Sequence, residues 1–507
     1  IMEQIGSKEI LTQKRIIRLF EKQLKYSYLG DWTERTNSNI EESLLENYLY
    51  ATRMYSSGEI SSAINQLKRA AGNIAGGLYH ANKEVYGLLR YGVNVSEGFA
   101  GSEGFTKSET LTKGNKKYVQ LIDWKNPQAN DFYVAEEVTV KAYYTKRPDF
   151  VIYVNGIALA VIELKRSTVS VHHGIRQNLD NQSKEFIPQF FTTVQLVFAG
   201  NDTEGLHYGV IQTQEKFWLR WKEPNPEVAN ELDRSVLQFF DKSRLLEYIH
   251  DFLIFDGGIK KAARPNQFFA IQAAKPRVKT KESGIIWHSQ GSGKSLTMIW
   301  LAKWIREHEQ DARVVVITDR DELDKQIEAG FKGVDEKIER AGSGEALIRM
   351  LNNANPWLIC TLIHKFGNKQ DSDLPEVGNK KATKSIEQYL KEVQDKLPRN
   401  FRPKGNIYVF VDECHRTQGG MLHEAMKAIM GEEVMLIGFT GTPLLKTDKR
   451  NSLETFGTYI HTYKFDEAVQ DKVILDLRYE ARDVPQYLGN KNKIDELCIK
   501  LVESSLS

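Results

Sequence analysis

The sequence predicts an α/β protein with two successive units: a mixed-sheet unit first, then a parallel-sheet unit that binds a phosphate chain. Three observations carry this. Gly284-Ile-Ile-Trp-His-Ser-Gln-Gly-Ser-Gly-Lys-Ser295 reads as a short buried strand, a glycine-rich loop from His288 to Gly293, and a helix starting at Lys294 and running to about Arg306. Further apolar strands follow it, among them Arg313–Arg320, Ile407–His415 and Val434–Pro443, each ending in polar residues. From Tyr118 the hydrophobic period changes to two, and two apolar runs flank Asn155-Gly156, a strong hairpin signal.

The 507 residues imply two to four domains, and a hydrophobic fraction of 41% is enough to build cores. A net charge of +2 excludes a polybasic binder, so contact with nucleic acid must come from local patches. Cys360, Cys414 and Cys498 lie far apart and form neither a metal spacing nor a disulfide frame, which suits a reducing cytoplasm. No signal peptide or long apolar run marks a membrane span. The chain opens on Ile1, as a piece of a longer protein would. The expected units are residues 1–240 with a core at about 118–215, residues 250–460, and a further unit beginning at 461.

Residues 1 to about 90 read as helices, one beginning after an Asn39 or Ser38 cap, another carrying Ile60, Ile64 and Leu67 at helical spacing. A Gly- and Ser-rich loop spans 94–116. Val119–Ile122, Phe132–Ala135 and Val138–Tyr143 read as strands. In the hairpin that follows, Asp149 opens the first strand, and Glu163 and Lys165 share one face of the second. A carboxylate within Ala-Val-Ile-Glu-Leu is costly to bury without a partner or a metal. Register decides whether the two acids meet. A two-residue Asn-Gly turn pairs Asp149 with Ile162, on the face opposite Glu163; a three-residue Val154-Asn-Gly turn with a glycine bulge pairs it with Val161, on the same face. If the acids share a metal, the bulged turn is expected, or an Asp149 that leaves the ladder.

A helix over Val171–Ser183 carries Gln177, while His172 and His173 lack a third ligand and read as surface residues. More strand follows at Thr193–Ala199 and Leu206–Ile211, then the aromatics Phe217, Trp218 and Trp221, a loop at Glu223–Pro226 and a helical connector over Leu232–Phe255. Lys260, Lys261, Arg264, Lys275, Arg277, Lys279 and Lys281 form the densest basic run, either a solvated helix face or a contact to DNA.

In the glycine-rich loop, Gly291, Ser292 and Gly293 let backbone N–H groups approach phosphates, Lys294 reaches the β- and γ-phosphates, and Ser295 holds Mg²⁺. His288 stands where the usual pattern has glycine. Asp412 would bind the same Mg²⁺, and Glu413 would orient and deprotonate the attacking water. Trp357–Ile363 is one more strand, and residues 365–404 form a polar excursion around a helix near Ile386–Leu397.

Strand–loop–helix, strand–Thr318-Asp-Arg320, strand–Asp412-Glu-x-His415 and strand–Thr440-Gly-Thr442-Pro443 occur in that order. The set resembles superfamily 2 helicases and translocases of the DEAD/DEAH-box kind, built on RecA-like domains. The resemblance implies that Gln267 reads adenine, that Thr318–Arg320 contacts nucleic acid and that Thr440–Thr442 couples hydrolysis to movement. Pro148-Asp149, a spacer and Glu163-x-Lys165 resemble the PD-(D/E)xK nuclease fold, in which the acids bind Mg²⁺ and the lysine positions water. Together, with Asn126–Val138, Ile162–Ser167 and Gly174–Asn181, these resemble the restriction (R, motor) subunit of type I restriction–modification enzymes. That implies double-stranded DNA, ATP and Mg²⁺ as ligands, and methylation and specificity subunits as partners, with cutting at a distance after ATP-driven translocation. Gln177 carries over from a Gln-x-x-x-Tyr pair whose tyrosine position is held by Asn181, and Glu41 resembles a helical glutamate of the nuclease fold. Thr455–Val484 looks like the crossing into a second RecA-like domain, and no Gln-x-x-Gly-Arg-type motif occurs.

Overall fold

The computed structural model describes residues 2–95, 117–223, 227–318, 321–334, 336–362, 397–398, 401–414, 426–427, 429–431, 433–442 and 456–476. Asp319, Arg320, His415, Pro443 and Cys498, the loop over 96–116, the helix expected near Ile386 and the crossing beyond residue 476 lie outside the described residues. None of the described helices is long and apolar enough to cross a membrane.

The N-terminal unit opens with helices α1 (Met2–Arg18), α2 (Glu42–Thr52), α3 (Ser57–Gly72) and α4 (Leu78–Tyr91). The cap expected at Asn39 or Ser38 moves to Glu41, because the Asn39 amide donates instead to Gln189 O and Thr192 Oγ1. The strands are β1 (Ser27–Asp31), β2 (Val93–Asn94), β3 (Tyr118–Val119), β4 (Phe132–Glu136), β5 (Phe150–Val154), β6 (Ile157–Leu164), β7 (Leu196–Asn201), β8 (Gly205–Gly209) and β9 (Leu219–Arg220). Seven of them form a sheet ordered β1-β4-β5-β6-β7-β8-β9, with β6 and β7 parallel and β4, β5 and β6 an antiparallel meander. All residues of β5 and β6 are buried, which is why they read as continuous apolar runs. Helix α5 (Val171–Asn181) packs on β6 and β7 at Gly174, where a Cβ would stand 3.2 Å from Ala199 Cβ and 3.3 Å from Glu163 O.

Val138–Tyr143, expected as a strand, continues the β4–β5 ladder only as far as the Val140–Lys146 bridge. Beyond it Lys141–Thr145 form the exposed tip. The helical connector is two helices, α6 (Glu231–Phe239) and α7 (Lys242–Asp251), separated where Asp241 accepts hydrogen bonds from Ser243 N and Arg244 N. A hairpin, β10 (Leu253–Asp256) and β11 (Ile259–Ala262), follows.

The second unit carries α8 (Pro265–Thr280), α9 (Lys294–His308), α10 (Asp321–Gly333) and α11 (Gly344–Leu351). Its strands are β12 (Gly284–His288), β13 (Ala312–Thr318), β14 (Glu339–Ala341), β15 (Leu358–Leu362), β16 (Asn406–Asp412), β17 (Met435–Thr440) and β18 (Tyr459–Tyr463). They form one sheet ordered β14-β15-β13-β16-β17-β12-β18, parallel at every junction. The boundary expected at 460 therefore falls inside a strand of this sheet, since β18 pairs with β12 from Ile285↔Tyr459 to His288↔Tyr463.

The two units share one core. Phe198, Tyr208 and Trp221 of the first pack with Phe239, Phe240, Tyr248 and Phe268 around the connector. Arg90 of α4 forks onto Glu307 at the end of α9 at 2.5 and 2.6 Å. The buried Lys260 ammonium donates to Asn82 Oδ1 at 2.8 Å and Gln195 Oε1 at 2.6 Å. The basic run is thus largely spent on internal contacts. Lys261 pairs with Asp256, Lys275 with Glu247 and Asp251, and Lys281 lies over the Tyr408 ring; of the run, Lys279 is exposed.

Candidate active sites

Asp149 and Glu163 come together beside a bulge within β6. Asn155 and Gly156 make a tight two-residue turn, both with positive φ (51° and 83°), and Val154 pairs with Ile157. The register then slips at Leu159, so that Ile152 pairs with Ala160 and Phe150 with Ile162. The ladder ends at that pair, and Asp149, one residue outside it, turns its carboxylate onto Leu164 N beside Glu163. The bulge lies within β6 and not at a Val154-Asn-Gly turn, and Asp149 stands one residue outside β5, the other arrangement expected.

Glu163 is fully buried. Its Oε1 accepts a hydrogen bond from Asn181 Nδ2 at 3.2 Å, while its Oε2 has no hydrogen-bond partner among the described residues. Burial, then the Asp149 carboxylate, pushes its carboxyl well above the usual range, and Lys165 pulls the other way. Asp149 Oδ2 accepts from Leu164 N at 2.6 Å and lies 3.7 Å from Lys165 Nζ. Two carboxylates held together, one with an orphaned oxygen, and a lysine beside them fit a divalent cation.

Gln177 is half-buried one turn before Asn181 on α5, so the hydrogen bond to Glu163 comes from Asn181, at the position where the family pattern has tyrosine. Glu41 is placed differently from expectation. Its N–H donates to Gly156 O at the turn end of the hairpin, and its carboxylate pairs with Arg35 at 2.8 Å. With β5 five residues long, that is ~15 Å from Asp149, so Glu41 does not join the acids. His172 and His173 are exposed, His172 bonding Glu215.

The second constellation sits at the C-terminal ends of β12, β16 and β17. Gly291 and Gly293 take φ of 82° and 92°, which bend the loop into the first turn of α9. Ser292 is buried, its hydroxyl donating to Ser289 O at 2.5 Å, and Ser295 lies half-buried in the first turn of the helix. Lys294 Nζ faces Glu413 Oε1 at 3.5 Å across the cleft. A Cβ on Gly441 would come within 2.7 Å of that ammonium, so glycine between Thr440 and Thr442 keeps the lysine's path open. Asp412 is buried, and its Oδ1 accepts from Glu413 N at 3.0 Å. Glu413 takes a left-handed φ of 48°, rare for a non-glycine residue and characteristic of strained functional positions. A loop of backbone donors, a cation and two acids facing it fit a nucleoside triphosphate with its metal.

Gln267 is held by the chain's own backbone. It is buried, its Oε1 accepts from Arg264 N at 2.8 Å, and its Nε2 donates to Gly293 O at 2.9 Å. In this arrangement Gln267 latches the phosphate loop to the start of α8.

His288 explains its own departure from the glycine pattern. Asn266 Nδ2 donates to its Nδ1 at 3.3 Å, which leaves the proton on Nε2 to donate to His461 Nδ1 at 2.9 Å. Burial drives the His288 pKa far down and that of His461 to about 4, so both rings are neutral at pH 7. His461 lies 173 positions away from His288, and no local sequence signal connects the two.

Residues 7–216 match the family model of the type I restriction enzyme R protein N terminus, and residues 266–506 match that of the SWI2/SNF2 ATPase. The N-terminal unit is thus similar to the type I restriction R-protein N terminus and the C-terminal unit to the SWI2/SNF2 ATPase. A type I restriction enzyme endonuclease subunit of Staphylococcus aureus is 27% identical over 369 residues, 71% of this chain and 37% of that one. The HindI endonuclease subunit of Haemophilus influenzae is 26% identical over 488 residues, 86% of this chain and 42% of that one. The chain thus spans about two fifths of the length of these relatives. The SWI2/SNF2 ATPase core of Sulfolobus solfataricus, solved with double-stranded DNA, covers 41% of this chain and 36% of its own at 18% identity and a TM-score of 0.27.

Proposed function

We propose that this R-protein-like chain is the nuclease and motor portion of the restriction subunit of a type I restriction–modification enzyme, which translocates double-stranded DNA at the expense of ATP and then cuts it away from the recognition site. The observation that carries the reading is one chain holding both constellations, the Asp149–Glu163–Lys165 cluster and the Lys294–Glu413 cleft, on two sheets that share a core. The complete enzyme would act in the cytoplasm with methylation and specificity subunits, which supply sequence recognition.

At the nuclease site Asp149 and Glu163 would hold Mg²⁺. When bound, the ion supplies Lewis-acid stabilisation of the charge that builds on the scissile phosphate. Asn181 holds the Glu163 carboxylate in one orientation. Lys165, held near Asp149, orients the attacking water and steadies negative charge on phosphate oxygens. Gln177, one turn from Asn181, would help set the position of the strand. At the motor site Gly291, Ser292 and Gly293 would cradle the phosphates, Lys294 would move from Glu413 to the terminal phosphates, and Ser295 and Asp412 would hold the ion. Glu413 would then accept a proton from the water that attacks the γ-phosphate.

Separating the two sites by mutation tests this. In the assembled enzyme, Lys165→Ala abolishes cutting, a loss of at least ~10²-fold, while ATP turnover and DNA movement persist. Lys294→Ala removes ATP turnover and, through it, movement and cutting. A Lys165→Ala enzyme that cuts normally would leave an ATP-driven DNA translocase whose first unit only binds DNA.

A further inference from the structure

The β4–β5 ladder continues past its last regular pair towards an exposed tip. Glu137 N donates to Asp149 O, Val138 N to Pro148 O, and Val140 and Lys146 exchange both backbone hydrogen bonds. The tip is Lys141-Ala-Tyr-Tyr-Thr145, and it leaves the sheet at the end where Asp149 and Glu163 face each other. Tyr143 is 85% exposed, the largest exposure of any described aromatic residue, and Tyr144 is 53% exposed. Their rings meet edge-to-face at 4.8 Å, and Tyr144 also touches Phe186, 5.8 Å away beyond the end of α5. Lys146 Nζ stands 3.8 Å over the Phe186 ring.

Large aromatic surface held in water is costly unless a partner covers it. The chemistry of the tip says which kind. Residues 141–147 contain Lys141, Lys146 and Arg147 and no acid, although Arg147 is paired with Glu137 at 2.7 Å. Aromatic faces interleaved with cations suit stacked bases on a phosphate chain, since every base has a π-face and every link a negative charge. The spacing agrees. From Thr145 to Asp149 is four residues of extended chain, ~13 Å, which a few nucleotides of one strand can span.

We propose that Tyr143 and Tyr144 form a stacking platform that holds an unpaired base of the DNA strand being cut, a few nucleotides from the phosphate at Asp149 and Glu163. This rests on the nuclease reading of that site. It goes beyond it by assigning the tip as a contact for unpaired DNA and not for intact duplex. The edge-to-face pair, with Tyr144 resting on Phe186, offers an open ring face to a base.

The test compares the full chain with Tyr143→Ala/Tyr144→Ala and with Tyr143→Phe/Tyr144→Phe. Binding is read by fluorescence anisotropy, with Ca²⁺ in place of Mg²⁺, on a duplex carrying a short single-stranded gap and on the same duplex without the gap. The alanine pair should weaken binding to gapped DNA by about tenfold to a hundredfold and leave the intact duplex nearly unchanged. The phenylalanine pair should bind as the parent does. Thermal unfolding of both variants should match the parent, because the side chains are exposed. Unchanged affinity in the alanine pair overturns the proposal and leaves the tip as a contact for a protein subunit. Equal loss in the phenylalanine pair overturns it too, because the hydroxyls and not the ring faces would then be the contact. Cutting of plasmid DNA in Mg²⁺ by the assembled enzyme, with and without Glu163→Ala, stands apart: its failure would remove the nuclease reading itself.

Discussion

Glu163 shows what burial does to one carboxyl. The native fold pushes its pKa up through desolvation and the facing Asp149. Between the unfolded value, ~4.3, and the raised native one, the folded chain keeps a proton that the unfolded chain releases. Stability therefore falls as pH rises through that window. Glu163→Gln removes the effect. Its melting temperature, measured without metal, should exceed that of the parent at pH 8 and approach it at pH 4. Adding Mg²⁺ should raise the melting temperature of the parent, because only the folded state gathers the acids, and should leave Glu163→Gln unmoved. An equal response to Mg²⁺ in both would remove the metal from this site. The residue types here were legible, since a glutamate inside an apolar strand needs a reason. Their facing was not. It depends on one extra residue, Leu159, in a run of apolar residues that reads equally well in either register. Asn181 was half legible: it lies one helical turn after Gln177, but only the packing of α5 through Gly174 makes it the residue that touches Glu163.

At the scale of elements, the order of the central strands of the second sheet was legible because β12, β13, β16 and β17 are almost wholly buried and end in polar motif residues. β12, β13, β16 and β17 start and stop within a residue or two of the apolar runs that announce them. What the sequence hid is how neighbouring elements spend their polar groups. Gln267 lies where a base-reading glutamine is expected, yet it ties the start of α8 to Gly293 of the loop. Glu41 lies near the start of a helix, yet that helix abuts the opposite end of the hairpin from the acids. Helix–strand packing decides both, and neither leaves a periodic trace. The latch makes a distinct prediction. Gln267→Ala frees Gly293 O and the first turn of α9, so affinity should fall for ATP and GTP alike, by about three- to thirtyfold, the worth of one or two hydrogen bonds. A glutamine that reads adenine would weaken ATP alone. Equilibrium binding of fluorescent analogues of the two nucleotides separates the cases.

At the scale of the whole molecule, the nuclease-like and motor-like units are joined by structure that neither would keep alone. The aromatic cluster around Trp221, Tyr248 and Phe268 is continuous with the inner face of both sheets. Helix α9 starts at Lys294 in the phosphate loop and carries Glu307 in its last turn, where Arg90 of α4 meets it, so one helix touches the nucleotide site and the first unit. Arg90 is nearly buried and also donates to Tyr86 Oη and His250 O, whereas Glu307 keeps 30% of its side chain in water. Removing the glutamate strands a buried cation, but solvent at its rim softens the penalty to about 1–2 kcal/mol. If the units unfold as one, that loss must appear everywhere at once. Hydrogen exchange in Glu307→Ala should then show the slowest amides of β5 and β6 and those of β13 and β16 losing the same protection, roughly five- to thirtyfold. A loss confined to α9 and β13 would mean that the two units open independently and that the shared core does not couple them.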